Sequence, residues 1–198
     1  DLRDMREVWR YELGTAEVRG SAVLDRVGNV YFVTEDGRDL AYVDGFPEGS
    51  HDGSTLKLIK ITNPSRGMPI LEWEYEITAS GETHDMGYLT PAISKRDILY
   101  VGGDMMHAVE PDGDELWTFA PDSTGNLQIY NAPLVDKRVV FFNVTDTSAT
   151  YEADGLYAVD ALSGTEPALW SYTPEAPTES SDGYSEGESA PDTYSSPQ

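Results

Sequence analysis

Acidic side chains are concentrated in one stretch of the sequence. Glycines and a proline separate five carboxylates there: Asp36, Asp39, Asp44, Glu48 and Asp52. Carboxylate and backbone oxygens are the ligands that Ca²⁺ takes, so this stretch is a candidate Ca²⁺ site. The segment Asp112-Gly113-Asp114 resembles a fragment of a Ca²⁺ loop. It lacks further oxygen ligands at the required spacing, and a turn explains it better.

No other residue pattern predicts catalysis or a cofactor. The three histidines are His51, His84 and His107, and none has the spacing of a metal pair. His107 falls on a predicted strand, where a packed side chain is expected. The chain has no cysteine, so disulfides and thiolate chemistry are excluded. We therefore predict no catalytic residue and no cofactor, and Ca²⁺ is the one metal kept as a hypothesis.

All four tryptophans occur in the same three-residue motif, the Trp phrase, in which an aromatic residue follows the Trp by two positions. The phrases are Trp9-Arg10-Tyr11, Trp73-Glu74-Tyr75, Trp117-Thr118-Phe119 and Trp170-Ser171-Tyr172. Residues at i and i+2 point to one face of a β-strand. Four copies indicate that one structural unit is repeated, and we predict a structural role for all four tryptophans.

Each unit contains four short strands. A small-residue opening is followed by a charged turn and a β-branched run, as in Thr90–Ser94, Lys95–Asp97 and Ile98–Val101. A third strand then leads through a glycine-bearing turn to the Trp strand, as in Met106–Val109 before Trp117. Four antiparallel strands joined by turns describe a β-propeller blade, so the predicted fold is all-β.

The turn before the Trp resembles a known family. The segments Ala108–Trp117 and Ala158–Gly164 with Trp170 are similar to the Ala-x-Asp-x-x-Thr-Gly-x-x-x-Trp pattern of PQQ-like β-propeller repeats. The resemblance covers about residues 9 to 174. It includes non-catalytic propellers of the outer-membrane assembly-factor type and propellers of quinoprotein type. The rival WD40 interpretation lacks a Trp-Asp dipeptide.

The spacings between tryptophans, 64, 44 and 53 residues, correspond to three whole blades. We place the blades at residues 18–77, 87–121 and 129–174, within a propeller region 1–174, with an orphan fourth strand at 7–13. Propellers close with 4 to 8 blades, so three cannot form a ring alone. We expect a partial propeller that a longer chain, another protein or self-association completes.

Two insertions fall between the second and third strands of their blades, on the same rim. One carries the five carboxylates above, and the other contributes Asp146, Tyr151 and Glu152. Binding residues concentrate on such loops, so this rim is a candidate interaction surface. The alternative is a pair of variable, solvated loops.

The formal charge of −23 excludes two classes of partner. Phosphates of nucleic acids and anionic membranes would be repelled. No segment approaches 18 apolar residues, so no membrane insertion is predicted. Many Asp and only four Lys suggest a surface adapted to high salt, hence a halophilic source.

The acidic tail, residues 175–198, is rich in Pro, Ser and Thr and cannot bury enough surface to fold alone. It is either a solvated linker or a strap anchored on a partner by Tyr184 and Tyr194.

Two functions follow from the resemblance. The first is a non-catalytic scaffold or adaptor for protein–protein assembly, in a periplasmic, extracellular or cell-surface setting. The second is part of a quinoprotein dehydrogenase whose PQQ and Ca²⁺ site is completed by other blades. Enzymes of that type hold the quinone with a stacked Trp and a Ca²⁺ bound by Glu, Asn and Asp. No residue here matches those ligands, so the first function is favoured.

Overall fold

The fold is all-β in a computed structural model of the chain. The model describes residues 7, 9–36, 39–43, 46–50, 55–62, 68–77, 89–121, 127–129, 131–146, 155–164 and 168–173, with the backbone alone for 39–43, 46–50, 127 and 146. Every sheet is antiparallel. No helix that could cross a membrane occurs among these residues.

Three sheets of five, four and five strands follow one another along the chain, and each contains the four-stranded path of a blade. Blade one contains β1 Glu17–Val18, β2 Val23–Leu24, β3 Val30–Asp36, β6 Thr55–Thr62 and β7 Ile70–Ile77. Blade two contains β8 Ala92–Ile93, β9 Leu99–Val101, β10 Met106–Val109 and β11 Glu115–Phe119. Blade three contains β12 Leu127–Gln128, β13 Leu134–Asp136, β14 Val139–Asp146, β15 Gly155–Asp160 and β16 Trp170–Tyr172. The predicted partial propeller is confirmed.

Two features differ from the sequence-based expectation. The first insertion was expected to be a loop, but it forms a hairpin of β4 Asp39–Val43 and β5 Phe46–Ser50. The segment expected as an orphan strand forms no strand ladder over residues 9–13. A strand ladder needs a neighbouring strand for its backbone groups.

Each blade has a forward face, which points to the next blade, and a backward face. Strand alternation puts Tyr31, Lys60 and Trp73 in one row on the forward face of blade one. The same row in blade two is Tyr100, Ala108 and Trp117.

In blade three the row is Phe141, Ala158 and Trp170. One core cluster joins the forward face of blade one to blade two, and another joins the forward face of blade two to blade three.

The tryptophan of one blade binds the turn between the third and fourth strands of the next. Trp73 Nε1 donates to the Pro111 carbonyl at 3.0 Å, and Trp117 Nε1 donates to the Ala161 carbonyl at 3.2 Å. Gly113 and Gly164, both at positive φ, lie against the two indole rings. A Cβ at either position would overlap the ring, so both turns require glycine.

A second donor reaches each of these carbonyls, and its identity differs between the two interfaces. Tyr100 Oη donates to the Ala161 carbonyl at 2.8 Å. At the first interface, Lys60 Nζ donates to the Pro111 carbonyl at 3.0 Å. Lys60 is only 7% exposed, pairs with Glu72 at 3.2 Å and lies over the Tyr31 ring. A lysine therefore replaces the alanine of the other two blades.

Replacing Gly164 by Ala tests how much the close contact between this glycine and the Trp117 ring contributes to stability. We expect the free energy of unfolding to fall by about 2–4 kcal/mol, because a strained φ and a displaced ring add together. Gly14→Ala is the matched control, since Gly14 has φ +69 and no atom within 4 Å of the new Cβ. It should cost about 1–2 kcal/mol, the φ strain alone. Equal losses in the free energy of unfolding for the two variants, measured in urea, would contradict a close contact between Gly164 and the Trp117 ring.

Candidate functional site

The forward face of blade three has no blade against it in the described part of the chain. Leu134 is 66% exposed, Trp170 45% and Tyr172 62%. Phe141 and Leu156, on the same face, are half-buried. The cross-strand row Leu134, Phe141, Ala158, Trp170 makes this one continuous apolar surface. Phe141 contacts Trp170 with a ring separation of 5.9 Å.

The equivalent positions in the other blades are covered. Val23 and Ala92, which correspond to Leu134, are half-buried beside the next blade. Phe119, which corresponds to Tyr172, is 4% exposed and packs on Phe142 and Tyr157. Trp170 Nε1 makes no hydrogen bond within the described ranges, whereas Trp73 and Trp117 each do. The surface thus has the form of a blade interface with one side present.

The backward face of blade one is covered over only part of its width. Tyr11 and Leu13 line a small cleft with Ile59 and Leu71. At the next interface, Tyr75 of blade one contacts His107 and Glu115 of blade two. These two residues hold the positions in blade two that Ile59 and Leu71 hold in blade one. Tyr11 therefore lies on blade one where Tyr75 lies on blade two. Residues 9–13 therefore occupy the place of a preceding blade's fourth strand.

The first strands of that face are exposed. Val18 is 52% exposed and Leu24 61%. Ile93 and Val135, the equivalents of Leu24, are half-buried against the preceding blade. The three inner strands of a preceding blade have no counterpart among the described residues, so both ends of the array have the form of blade interfaces.

A polar chain crosses the interface between blades one and two, from the exposed Glu115 to the buried His107. Tyr75 Oη donates to Glu115 at 2.6 Å, so His107 Nδ1, at 3.1 Å, must donate to the Tyr75 oxygen. His107 Nε2 then faces Asp104 Oδ1 at 3.7 Å, and both atoms are buried without a hydrogen bond in the described structure. Burial and the Glu115 carboxylate raise the pKa of Tyr75.

A basic cleft of about 170 Å³ lies between the first turns of blades two and three. Its charged lining is Lys95, Arg96, Lys137 and Arg138, four of the 13 basic residues of the chain. Arg138 pairs with Asp160 at 3.2 Å. The cleft therefore has a locally basic lining in an acidic chain, and part of that charge is offset by Asp160.

The acidic rim predicted from the sequence is only partly described. Asp36 and Asp146 end equivalent second strands, β3 and β14, which places both on the rim that carries the insertions. Asp36 is exposed and accepts a hydrogen bond from Thr15 at 3.4 Å. Asp39 and Glu48 lie on opposite strands of the β4–β5 hairpin.

Asp44, Asp52, Tyr151, Glu152, Tyr184 and Tyr194 lie outside the described residues, as do His51 and His84. No group of three or more metal-binding side chains occurs in the described ranges. The Ca²⁺ hypothesis and the tail anchors therefore stay predictions.

Of the four tryptophans, Trp73 and Trp117 lie at blade contacts, Trp9 is half-buried, and Trp170 lies on the open face. Lys60 was not predicted as an interface residue. Aligning the third strands as Ile59-Lys60-Ile61, His107-Ala108-Val109 and Tyr157-Ala158-Val159 puts Lys60 opposite two alanines, and this mismatch was the available signal.

Comparison with known proteins shows the fold and nothing finer. No protein-family model matches the chain, and no curated protein does. Among solved structures, a europium-containing methanol dehydrogenase matches with a TM-score of 0.58 and 16% sequence identity. The match covers 87% of this chain and 27% of that one, so the chain spans about a quarter of its length. This likeness agrees with an incomplete propeller.

Tyr75→Phe tests this polar chain. Removing the hydroxyl leaves the buried His107 Nδ1 without its partner, whereas the exposed Glu115 is hydrated by water, so the free energy of unfolding should fall by about 1–3 kcal/mol. Tyr172→Phe is the control, because Tyr172 is 62% exposed and its hydroxyl has no bond within the described residues. Urea unfolding measures both, and a Tyr75→Phe variant as stable as the control would rule out a stabilising chain.

Asp160 links stability to pH. The Leu162 amide, then Arg138 and Ser163, lower the pKa of this carboxyl, which holds the turn around Ala161. A lowered folded pKa contributes stability above the unfolded value, about 3.9, and this is lost as the pH falls through the folded pKa. Asp160→Asn should therefore lose less stability than the wild type between about pH 5 and 2. Parallel pH profiles in thermal unfolding would refute this.

Proposed function

We propose that the chain is a non-catalytic propeller scaffold that binds a protein partner through the forward face of blade three. The observation that carries the proposal is the exposure of Trp170 and Tyr172 beside Leu134, at positions that are covered in the other two blades. Exposed contiguous apolar patches on soluble proteins mark interaction sites. Trp and Tyr are also the residues that contribute most to protein–protein affinity.

The charge of the chain supports the same assignment. The central row of the open face is uncharged in a protein of charge −23, and the carboxylates Asp136 and Asp160 lie at the end of the face. That central row is Leu134, Phe141, Ala158 and Trp170. Charged residues are depleted at the centre of interfaces and kept at their rims. The strong negative net charge disfavours non-specific association between the remaining surfaces of different molecules.

The proposal extends to family and setting. The four Trp phrases and the glycine turns support membership of the PQQ-like repeat family, in an exported or cell-surface setting. High acidity supports a salt-rich environment, where self-repulsion is screened.

The alternative is part of a quinoprotein dehydrogenase. Its support is the fold likeness to a methanol dehydrogenase at 16% identity, which shows fold alone. No three His, Cys, Asp or Glu side chains come together among the described residues, so these residues alone do not form a metal-dependent quinone site. Absorbance of the purified protein in the quinone region would revive this alternative.

Site-specific photo-crosslinking tests the scaffold function in the cells that make the protein. A photoreactive phenylalanine replaces Tyr172 in one variant and Leu134 in another. We expect both to give the same crosslinked protein, because both positions face the partner. Val27, which is 80% exposed on the first turn of blade one, is the control position. Crosslinks that are no stronger at Tyr172 and Leu134 than at Val27 would refute the proposed interface.

A further inference from the structure

We propose that the cleft between the first turns of blades two and three is a binding site for a small, doubly charged oxyanion of the phosphate or sulfate type. The first turn of a blade connects its first strand to its second. The cleft lies on the other side of blade three from the open forward face. Anion binding here is therefore independent of the scaffold function proposed above.

The first turns of blades one and two show how a cation at this position is neutralised. Arg26, in the turn of blade one, pairs with Asp97 in the turn of blade two at 2.9 Å. Lys95 holds the position of Arg26 one blade further on, because each follows the last residue of its first strand, Leu24 or Ile93, by two positions. Blade three would need a carboxylate in its own first turn to neutralise Lys95 in the same way.

Blade three lacks that carboxylate because its first turn is one residue shorter. The turn of blade two has the three residues Lys95-Arg96-Asp97, whereas the turn of blade three has the two residues Lys137-Arg138. The position that Asp97 holds is therefore missing from blade three. Lys95 accordingly makes no ion pair within the described ranges.

The cleft has more positive charge than its neighbours neutralise. Of the four cations that line it, Arg138 pairs with Asp160 at 3.2 Å. Lys95, Arg96 and Lys137 make no ion pair in the described part of the chain, and no carboxylate is among the described lining residues. All four cations are exposed, so an anion can reach them from solvent. Three positive charges are thus left for a ligand.

The floor of the cleft is apolar. Ile98, Tyr100 and Ala161 line it and are 7%, 0% and 2% exposed, and the Tyr100 hydroxyl already donates to the Ala161 carbonyl. Low-dielectric walls focus the field of the charges that line a cleft. The Arg96 guanidinium also presents a planar fork of donors that matches an oxyanion. A volume of about 170 Å³ restricts the ligand to a small one.

Backbone strain marks the same two turns. Asp97 at φ 62 and Lys137 at φ 55 are the non-glycine residues at positive φ in the described ranges. Asp adopts this conformation readily, but Lys does so at an energetic cost, and two-residue hairpin turns favour glycine or asparagine there. Strained non-glycine residues cluster at ligand-binding sites. A cation therefore stands where glycine would relieve the strain.

Titration of the purified full chain with sodium sulfate, followed by amide NMR shifts, tests the site. Sulfate keeps two negative charges, and at about 0.1 M ionic strength the Debye length of about 10 Å screens remote carboxylates. We expect saturable shifts at Arg96, Lys137 and Arg138. Sodium chloride at equal ionic strength is the control. Shifts that do not saturate, or that chloride reproduces in full, would overturn the inference.

Arg96→Gln should raise the sulfate dissociation constant by about tenfold or more, because a charge-assisted hydrogen bond is lost. Arg10→Gln is the matched control, since Arg10 is exposed, pairs with Glu7 and carries the same charge away from the cleft. It should leave the dissociation constant within about twofold. Equal weakening in the two variants would show that net charge sets the affinity and would refute the site.

Insertion of Asp between Arg138 and Val139 gives blade three a turn as long as that of blade two. The inserted carboxylate should pair with Lys95, as Asp97 pairs with Arg26, and weaken sulfate binding by about tenfold. Insertion of Asn is the matched control, because Asn also adopts positive φ and has no charge. If the two insertion variants bind sulfate equally, the missing carboxylate does not open the cleft to anions and the inference is wrong.

Discussion

The hydrogen bond from a tryptophan indole to the turn of the next blade is the interaction on which this architecture depends. A four-stranded sheet with two apolar faces cannot satisfy both by itself, so each blade is stable only between neighbours. The indole supplies a large apolar area and one polar atom that needs an acceptor. The turn carbonyl, with a glycine beneath the ring, provides that acceptor within the core, and the hydrogen bond fixes how the two sheets are aligned.

The two interfaces share this bond but differ in the rest of their packing. Phe119, Phe142 and Tyr157 form an aromatic cluster between blades two and three. Between blades one and two, Tyr75 meets His107 and Glu115 instead. This polar chain runs from the exposed Glu115 to two buried atoms without a hydrogen bond, His107 Nε2 and Asp104 Oδ1, so it carries a cost in desolvation. The second interface depends more on apolar area.

Much of the fold could be predicted from the sequence because strand alternation and the Trp phrase repeat together. The i, i+2 aromatics set the face of each fourth strand, and the three blades follow from their spacing. The β4–β5 hairpin could not be predicted, since its residues lack a clear alternating pattern between their glycines. The lack of a strand ladder at residues 9–13 depends on strands that the described chain does not contain. The exposure of the forward face of blade three could not be predicted either, because Trp170 has the same sequence context as its buried counterparts.

Lys60 bears on how the repeats find their proper order during folding. Similar units in one chain can pair with the wrong neighbour, which is a characteristic failure of repeat proteins. The Lys60 amine is nearly buried and depends on the Pro111 carbonyl and Glu72. Pressing it against a turn with no acceptor in reach would bury an unpaired charge, at a cost of several kcal/mol. One buried amine thus restricts blade one to neighbours whose third-to-fourth strand turn offers it a carbonyl, as Pro111 of blade two does.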